Sequence, residues 1–412
     1  MRRVATRVGL AAAFGLGLLG GTVAVSGAFA ASAAVPSPSA DRFYAPPAQL
    51  ASYRPGTILR RRTVTAPGVD DYSAAYQLLY RSTDAKRKPI AAVTTLFVPS
   101  DPAPGRRRLF SFHQAYDSLS LTCAPSHALR TNQATGLGDA SLSSDTQAFL
   151  GFGWDVAVPD YEGLRSEWGV GPLAGRVTLD GIRAVEHFRR AELDGARTKV
   201  AMGGYSGGSI PTMWAASLAK RYAPELRIVA AAAGGNVPDP VQDLPRLDGS
   251  ALFGTVVGVA VGVDRAYPEL RLDSILNAKG RALAARDGRD ADGCAGSVTN
   301  APFGTVAEYS NYPNPEALLA VPRLRRVFPR LNLIRRPAPA APSLIFNSAQ
   351  DELTWVKPVD ELVAAWCAQG ASIEYQTPPG DHATGSALFG RQAVPYIEDR
   401  YAGKPPPDTC PP

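Results

Sequence analysis

Past the first 56 residues, apolar positions fall into short runs separated by polar, glycine- and proline-rich breaks. The runs at 76–80, 91–98, 108–112 and 154–158 have the length and apolar character of strands. Helical spacing follows over 176–193. Residues 198–202 read as a strand leading through a glycine-rich turn into a helix at 209–222, and 227–233 as the next strand. From about 235 to 336 the alternation gives way to helical pieces, several prolines and a basic stretch at 323–336. It resumes with a strand at 343–346, a helix at 359–369, a strand at 372–376 and a C-terminal helix at 387–401. Strands interleaved with helices predict an α/β fold, a mostly parallel sheet with helices on both faces. The core is expected over 35–235 and 335–412, with residues 236–334 inserted between strands as a helical cap. Residues 36–56 are proline-rich and expected to be irregular, and no internal repeat is visible.

The N-terminus carries a different pattern. Arg2, Arg3 and Arg7 precede an apolar run over 8–25, and Ala28-Phe29-Ala30 and Ala31-Ser32-Ala33 follow it. A positive start, an apolar stretch and small residues form an export signal, expected over 1–34. The run is near the length of a spanning helix, but its glycine and alanine content with two cleavage-type sites behind it favours removal. The mature chain is therefore expected to be soluble and secreted, either extracellular or in the cell envelope. The apolar stretch 250–263 is too short to span a bilayer and reads as a buried helix.

Composition narrows the class. Hydrophobic residues make up 45% and charged residues 19% of the 412, which excludes a disordered chain. Of 43 basic residues against 37 acidic, three lie in the signal segment, and the near balance that remains gives no footprint for nucleic acid. Four cysteines suit an oxidising destination. Cys123, Cys294, Cys367 and Cys410 can pair in three ways. Joining Cys410 to Cys367 would pin the proline-rich tail, leaving Cys123 to Cys294. No C-x-x-C or Cys/His spacing supports a metal site.

Gly204-Tyr205-Ser206-Gly207-Gly208 carries the chemistry. G-x-S-x-G is weak alone, but here it follows a predicted strand and opens a predicted helix, the context of a nucleophile elbow. A serine hydroxyl needs a general base, and the chain has four histidines: His113, His127, His187 and His382. His187 falls within a predicted helix and His127 in a polar loop. His382 follows the last predicted strand, in Pro379-Gly380-Asp381-His382-Ala383, where the order serine, acid, histidine requires the base. The acid to orient it is expected at Asp351, after strand 343–346. Glu352 is adjacent and chemically able, and Asp381 neighbours the histidine itself. Donors for a developing oxyanion are expected from the amide of Gly207 and from the loop His113-Gln114-Ala115-Tyr116-Asp117-Ser118.

Several motifs then occur in one order: Phe43-Tyr44-Ala45-Pro46-Pro47, Pro55-Gly56-Thr57-Ile58-Leu59-Arg60, the loop to Ser118 with Cys123-Ala124-Pro125-Ser126, Pro159-Asp160-Tyr161-Glu162-Gly163, Leu179-Asp180-Gly181-Ile182-Arg183-Ala184 and the serine motif. In these the chain resembles the secretory lipases, α/β-hydrolases of the fungal lipase A type with exported bacterial relatives. The resemblance implies an α/β-hydrolase fold with a helical cap over an acyl pocket. It implies Ser206, Asp351 and His382 as catalytic residues, and Asp117 with Gly207 around the oxyanion. It also implies Cys123–Cys294 and Cys367–Cys410 disulfides. An acidic side chain beside an oxyanion requires that it be protonated, or that its backbone N–H be the donor.

The expected activity is hydrolysis of lipid or small carboxylic esters through an acyl-enzyme, with no cofactor, no metal and no obligate protein partner. An exported serine peptidase, an acyltransferase and an inactive lipid-binding relative remain as alternatives. Asp287, Asp290, Asp292 and Gly293 resemble a calcium loop only superficially, lacking its distal Glu. The arginines of 323–336 read as a solvated face with an option on anionic lipid, and residues 252–263 as cap packing or acyl lining.

Overall fold

The computed structural model describes residues 35–133, 141–287 and 301–410. The export segment, Cys294, and Asp290, Asp292 and Gly293 lie outside the described residues, as does the expected Cys123–Cys294 pair.

Nine strands form one sheet in the order β1-β2-β3-β5-β4-β6-β7-β8-β9. They are β1 (Ile58–Thr63), β2 (Tyr72–Thr83), β3 (Pro89–Pro99), β4 (Arg108–His113), β5 (Asp155–Pro159), β6 (Lys199–Tyr205), β7 (Ile228–Gly234), β8 (Ser343–Phe346) and β9 (Ile373–Gln376). The β1/β2, β2/β3 and β3/β5 pairs are antiparallel, and every pair from β5/β4 to β8/β9 is parallel. Alternate side chains feed two cores, as the two-residue period of a strand dictates. From β7, Ala231 and Ala233 join one apolar cluster and Ala230 and Ala232 the other.

The first cluster is closed by α3 (Gly171–Glu186), α4 (Ser209–Tyr222) and the helix Val356–Cys367, through Val177, Met213 and Trp366. The second is closed by α1 (Pro125–Thr131), α2 (Ser141–Leu150) and the C-terminal helix His382–Tyr401, through Leu129, Leu150 and Ile397. Trp154 donates to Glu398 (2.7 Å) and Tyr401 to the Leu109 carbonyl (2.6 Å), fixing the C-terminal helix across the sheet.

Between β7 and β8 the chain is helical, with α5 (Pro240–Leu247), α6 (Gly254–Ala266), α7 (Ala278–Asp287) and three short helices, Val306–Tyr309, Pro315–Leu319 and Pro322–Val327. A single bridge, Leu276 to Ser310, is the exception among the described residues. The buried helix expected over 250–263 is α6, and no described helix is long and apolar enough to cross a membrane.

Helices α1 and α2 fall where the sequence pattern showed no element, and His127, expected in a loop, lies in α1; three further elements differ in ways with a local cause. β1 was not visible because Arg60, Arg61 and Arg62 break its apolar alternation; it is a largely exposed edge strand. Helix α3 starts at Gly171 rather than 176, because Pro172 sits in the first turn, where its missing N–H costs nothing. The last helix starts at His382 rather than 387. Asp381 caps it by accepting the Thr384 amide (2.8 Å), so Gly385 and Ser386 lie inside the helix.

At the C-terminus, Cys367 and Cys410 form a disulfide. The tail it holds runs beside β9, where Thr409 donates its amide to the Ile373 carbonyl (2.7 Å) and accepts the Tyr375 amide (2.9 Å).

Candidate active site

Ser206 stands at the turn from β6 into α4, with its backbone in the left-handed region at φ 54°. A β-carbon at Gly204 would come 2.5 Å from both the Gly208 and the His113 carbonyls, and one at Gly208 would overlap the His113 carbonyl. Glycine at both positions lets the turn press against the end of β4. The strain at Ser206, of order 1–3 kcal/mol, is held by this packing.

His382 Nε2 lies 2.9 Å from Ser206 Oγ, and His382 Nδ1 lies 2.8 Å from Asp351 Oδ2. Asp351 is 2% exposed. Its other oxygen accepts the amides of Leu353 (3.0 Å) and Thr354 (2.7 Å), which fixes the carboxylate toward the ring. Glu352, the alternative acid, turns elsewhere: its Oε2 accepts the His382 amide (3.0 Å). Asp381 is the helix cap described above. Tyr205 donates to the His382 carbonyl (2.8 Å) and lies 5.0 Å from the imidazole between ring centres. Three residues from separate loops at the carboxyl edge of the sheet are thus joined in series, where α/β sheets bind their ligands.

The other histidines have structural positions. His113 is fully buried at the end of β4, its ring between Thr212 Oγ1 (2.6 Å) and Ser111 Oγ (2.9 Å), and burial lowers its pKa to about 3. His127 Nδ1 reaches the Thr122 carbonyl (2.9 Å), and His187 caps α3 through the Arg183 carbonyl (2.7 Å).

Asp117 also has a left-handed backbone, φ 35°. Its carboxyl group is buried against Gly207, where a β-carbon at residue 207 would overlap Oδ1. Burial raises its pKa to about 6, against the lowering effects of His382 and a hydrogen bond from the Trp168 side chain, and Oδ1 has no hydrogen-bond partner among the described residues. The Gly207 amide belongs to the first turn leading into α4, where N–H groups lack intrahelical acceptors. The loop 114–118 is braced from behind: Tyr161 donates to the Gln114 carbonyl (2.8 Å), and Tyr116 accepts the Glu162 amide (2.7 Å). Trp168 is the residue that sequence reasoning missed. Its signal lies at a distance, in Gly258 and Gly262 of the apolar helix α6: a β-carbon at either would overlap Trp168.

Two cavities meet at Ser206. One, of about 170 Å³, runs under the helical segment between β7 and β8, lined by apolar residues including Ile210, Leu244, Val259, Val263, Leu324 and Phe328. The other, of about 700 Å³, lies between the C-terminal helix, α2 and the ends of β4 and β6. Helix α6 packs the insertion and lines the first cavity. The basic stretch is partly engaged. Arg323 donates to Leu270 O (2.8 Å), Arg330 pairs with Glu269 (2.9 Å), and Arg336 donates to carbonyls of its own segment, while Arg325, Arg326 and Arg335 are exposed. No cluster of metal-ligating side chains occurs among the described residues.

A mostly parallel sheet with serine after one strand, acid and histidine after two later ones and helices on both faces is an α/β-hydrolase. Residues 140–409 match the family model described as secretory lipase. The chain is 34% identical over 379 residues to a probable inactive lipase of Mycobacterium tuberculosis, covering 89% of this chain and 83% of that one. It is 33% identical to lipase A of Arthroderma benhamiae (89% and 80% covered) and 33% identical to a secreted triacylglycerol lipase of Malassezia globosa (90% and 83%). Among solved structures, Candida antarctica lipase A in its closed state superposes with a TM-score of 0.83 at 28% identity, over 92% of this chain and 89% of that one. The chain belongs to the secretory lipase family.

Proposed function

We propose that this protein is a secreted serine carboxylic-ester hydrolase, a lipase acting on acylglycerols or related esters. The observation that carries it is the series Ser206–His382–Asp351 at the mouth of an apolar cavity. Ser206 Oγ attacks the ester carbonyl as His382 Nε2 takes its proton. Asp351 holds the ring in the tautomer that leaves Nε2 free to accept and stabilises the imidazolium. The carbonyl oxygen, now an anion, is met by the Gly207 amide and by Asp117, whose raised pKa keeps it a hydrogen-bond donor below about pH 6. His382 then protonates the departing alcohol, and water repeats the sequence to release the acid. The helical segment over the narrow cavity acts as a cap, and the acyl chain lies beneath it.

A second reading has a specific observation behind it: the mycobacterial relative is named a probable inactive lipase, so a binding protein on the same fold is the competitor. Intact hydrogen bonding from Ser206 to Asp351 supports the enzyme instead. Hydrolysis of p-nitrophenyl esters over short to long acyl chains tests it. Turnover that persists to long chains is expected, and turnover of short chains alone would reduce the protein to an esterase.

A further inference from the structure

We propose that the narrow apolar cavity holds a polar corner, formed by Asp243 and Thr354, that takes a hydroxyl group on the acyl chain, so that the enzyme prefers esters of hydroxylated fatty acids to those of the plain chain. This rests on the ester-hydrolase reading above and specifies its acyl group.

Asp243 stands where helix α5 calls for an apolar residue. Pro240, Asp243, Leu244 and Leu247 recur at helical spacing, and all four line the cavity of about 170 Å³. This is the stripe that an amphipathic helix reserves for apolar side chains. Asp243 is only 5% exposed, and a buried carboxyl short of hydrogen bonds lowers stability. Its one hydrogen bond is long: Oδ1 accepts the Trp355 amide at 3.4 Å, and Oδ2 has no partner among the described residues. Arg246, one turn further on, lies over the Trp355 ring, 5.2 Å from its centre.

Thr354 supplies the other half. It is 2% exposed and lines the same cavity, and its Oγ1 has no hydrogen-bond partner among the described residues. The Trp355 nitrogen that Asp243 meets is bonded to the Thr354 carbonyl carbon, so the two groups stand on adjoining walls. They lie toward the reacting end of the cavity: Thr354 donates its amide to Asp351 (2.7 Å), and Leu353 borders both cavities.

The other polar side chains of this lining have roles already. Ser206 and Asp117 belong to the reacting centre, Trp168 bonds to Asp117, and Thr255 donates to the Leu252 carbonyl (2.8 Å). Burial raises the Asp243 pKa to about 7, so below that pH its carboxyl both donates and accepts. A hydroxyl is likewise donor and acceptor, and it satisfies Asp243 and Thr354 together. A plain alkyl chain leaves both unpaired.

The test compares ethyl decanoate with ethyl 3-, 7- and 9-hydroxydecanoate in wild type, Asp243→Leu and Thr354→Val, with the released acids quantified by chromatography. Both substitutions suit an apolar wall and keep the backbone amides, and melting temperatures check the fold. Wild type should favour at least one hydroxy ester over decanoate by about tenfold in kcat/KM, and each variant should bring that ratio back toward one. Reading the ratio within each variant removes the intrinsic reactivity of the esters. If Asp243→Leu fails to fold, Thr354→Val decides alone. A wild type that favours none of the three hydroxy esters, or a ratio that the folded variants leave unmoved, overturns the polar corner and leaves the hydrolase standing. Absence of turnover on all four esters by folded wild type overturns both.

Discussion

Asp117 Oδ1 occupies the space that a side chain on residue 207 would need. Residue 207 must therefore lack a β-carbon. Gly207→Ala should displace Asp117 and lower kcat by about 10²–10³, the effect of losing an oxyanion donor, with an overpacking cost of about 1–3 kcal/mol. Steady-state kinetics beside a thermal melt would show it.

Asp117 should also set the alkaline limb of activity. Its pKa is raised to about 6 by burial, so above that pH it becomes an anion facing a developing anion. The enzyme should lose kcat/KM as pH rises through this value, and Asp117→Asn should shift or remove that loss. An unchanged profile in the variant would exclude the Asp117 side chain as the donor and leave that part to its backbone N–H.

Stability should follow the same direction. Burial raises Asp117 to about 6, Asp160, Asp243 and Glu167 to about 7 and Glu186 to about 8. Each binds its proton more tightly folded than unfolded, so its contribution is full below the unfolded pKa near ~4 and is lost as pH rises through the folded value. Asp41, Glu225 and Glu269 are lowered and lose stability toward acid, but all three lie near the surface. Buried His113, lowered to about 3, also loses stability below about pH 6.5, one group against the five raised carboxyls. The melting temperature should be higher at pH 5 than at pH 8, as calorimetry across that range would record.

The two neighbouring acids separate cleanly. Asp351→Asn leaves the imidazole in the wrong tautomer and should cost about 10⁴ in kcat. Glu352→Gln keeps an oxygen for the His382 amide and should stay within about tenfold of wild type.

The disulfide ties the tail along β9, closing a loop of 43 residues. Removing both cysteines with Cys367→Ser and Cys410→Ser should cost about 2–4 kcal/mol and expose the β9 edge. Chemical denaturation and limited proteolysis of the tail report the two effects.

Much of this was legible in the sequence because its signals are local. Ser206 announces itself by flanking glycines, and His382 by its place after the last strand. Asp351 followed from strand order, although Glu352 stood beside it; only the hydrogen bonds of the 351–354 turn tell the two apart. Edge strand β1 was hidden because an exposed strand has no need of apolar alternation. Trp168 and the cavity walls at Phe149 and Phe389 were beyond reach for another reason. They come together from α2, the 163–171 loop and the C-terminal helix, and no spacing along the chain records that meeting.

The most direct measurement is reaction with a fluorophosphonate, with the modified residue located by mass spectrometry and ester turnover followed in parallel. Stoichiometric labelling at Ser206, loss of turnover in proportion, and neither labelling nor turnover in a folded Ser206→Ala variant are the predicted results. Turnover retained by Ser206→Ala, or a folded wild type that neither labels nor hydrolyses esters, would contradict the assignment of Ser206 as the nucleophile.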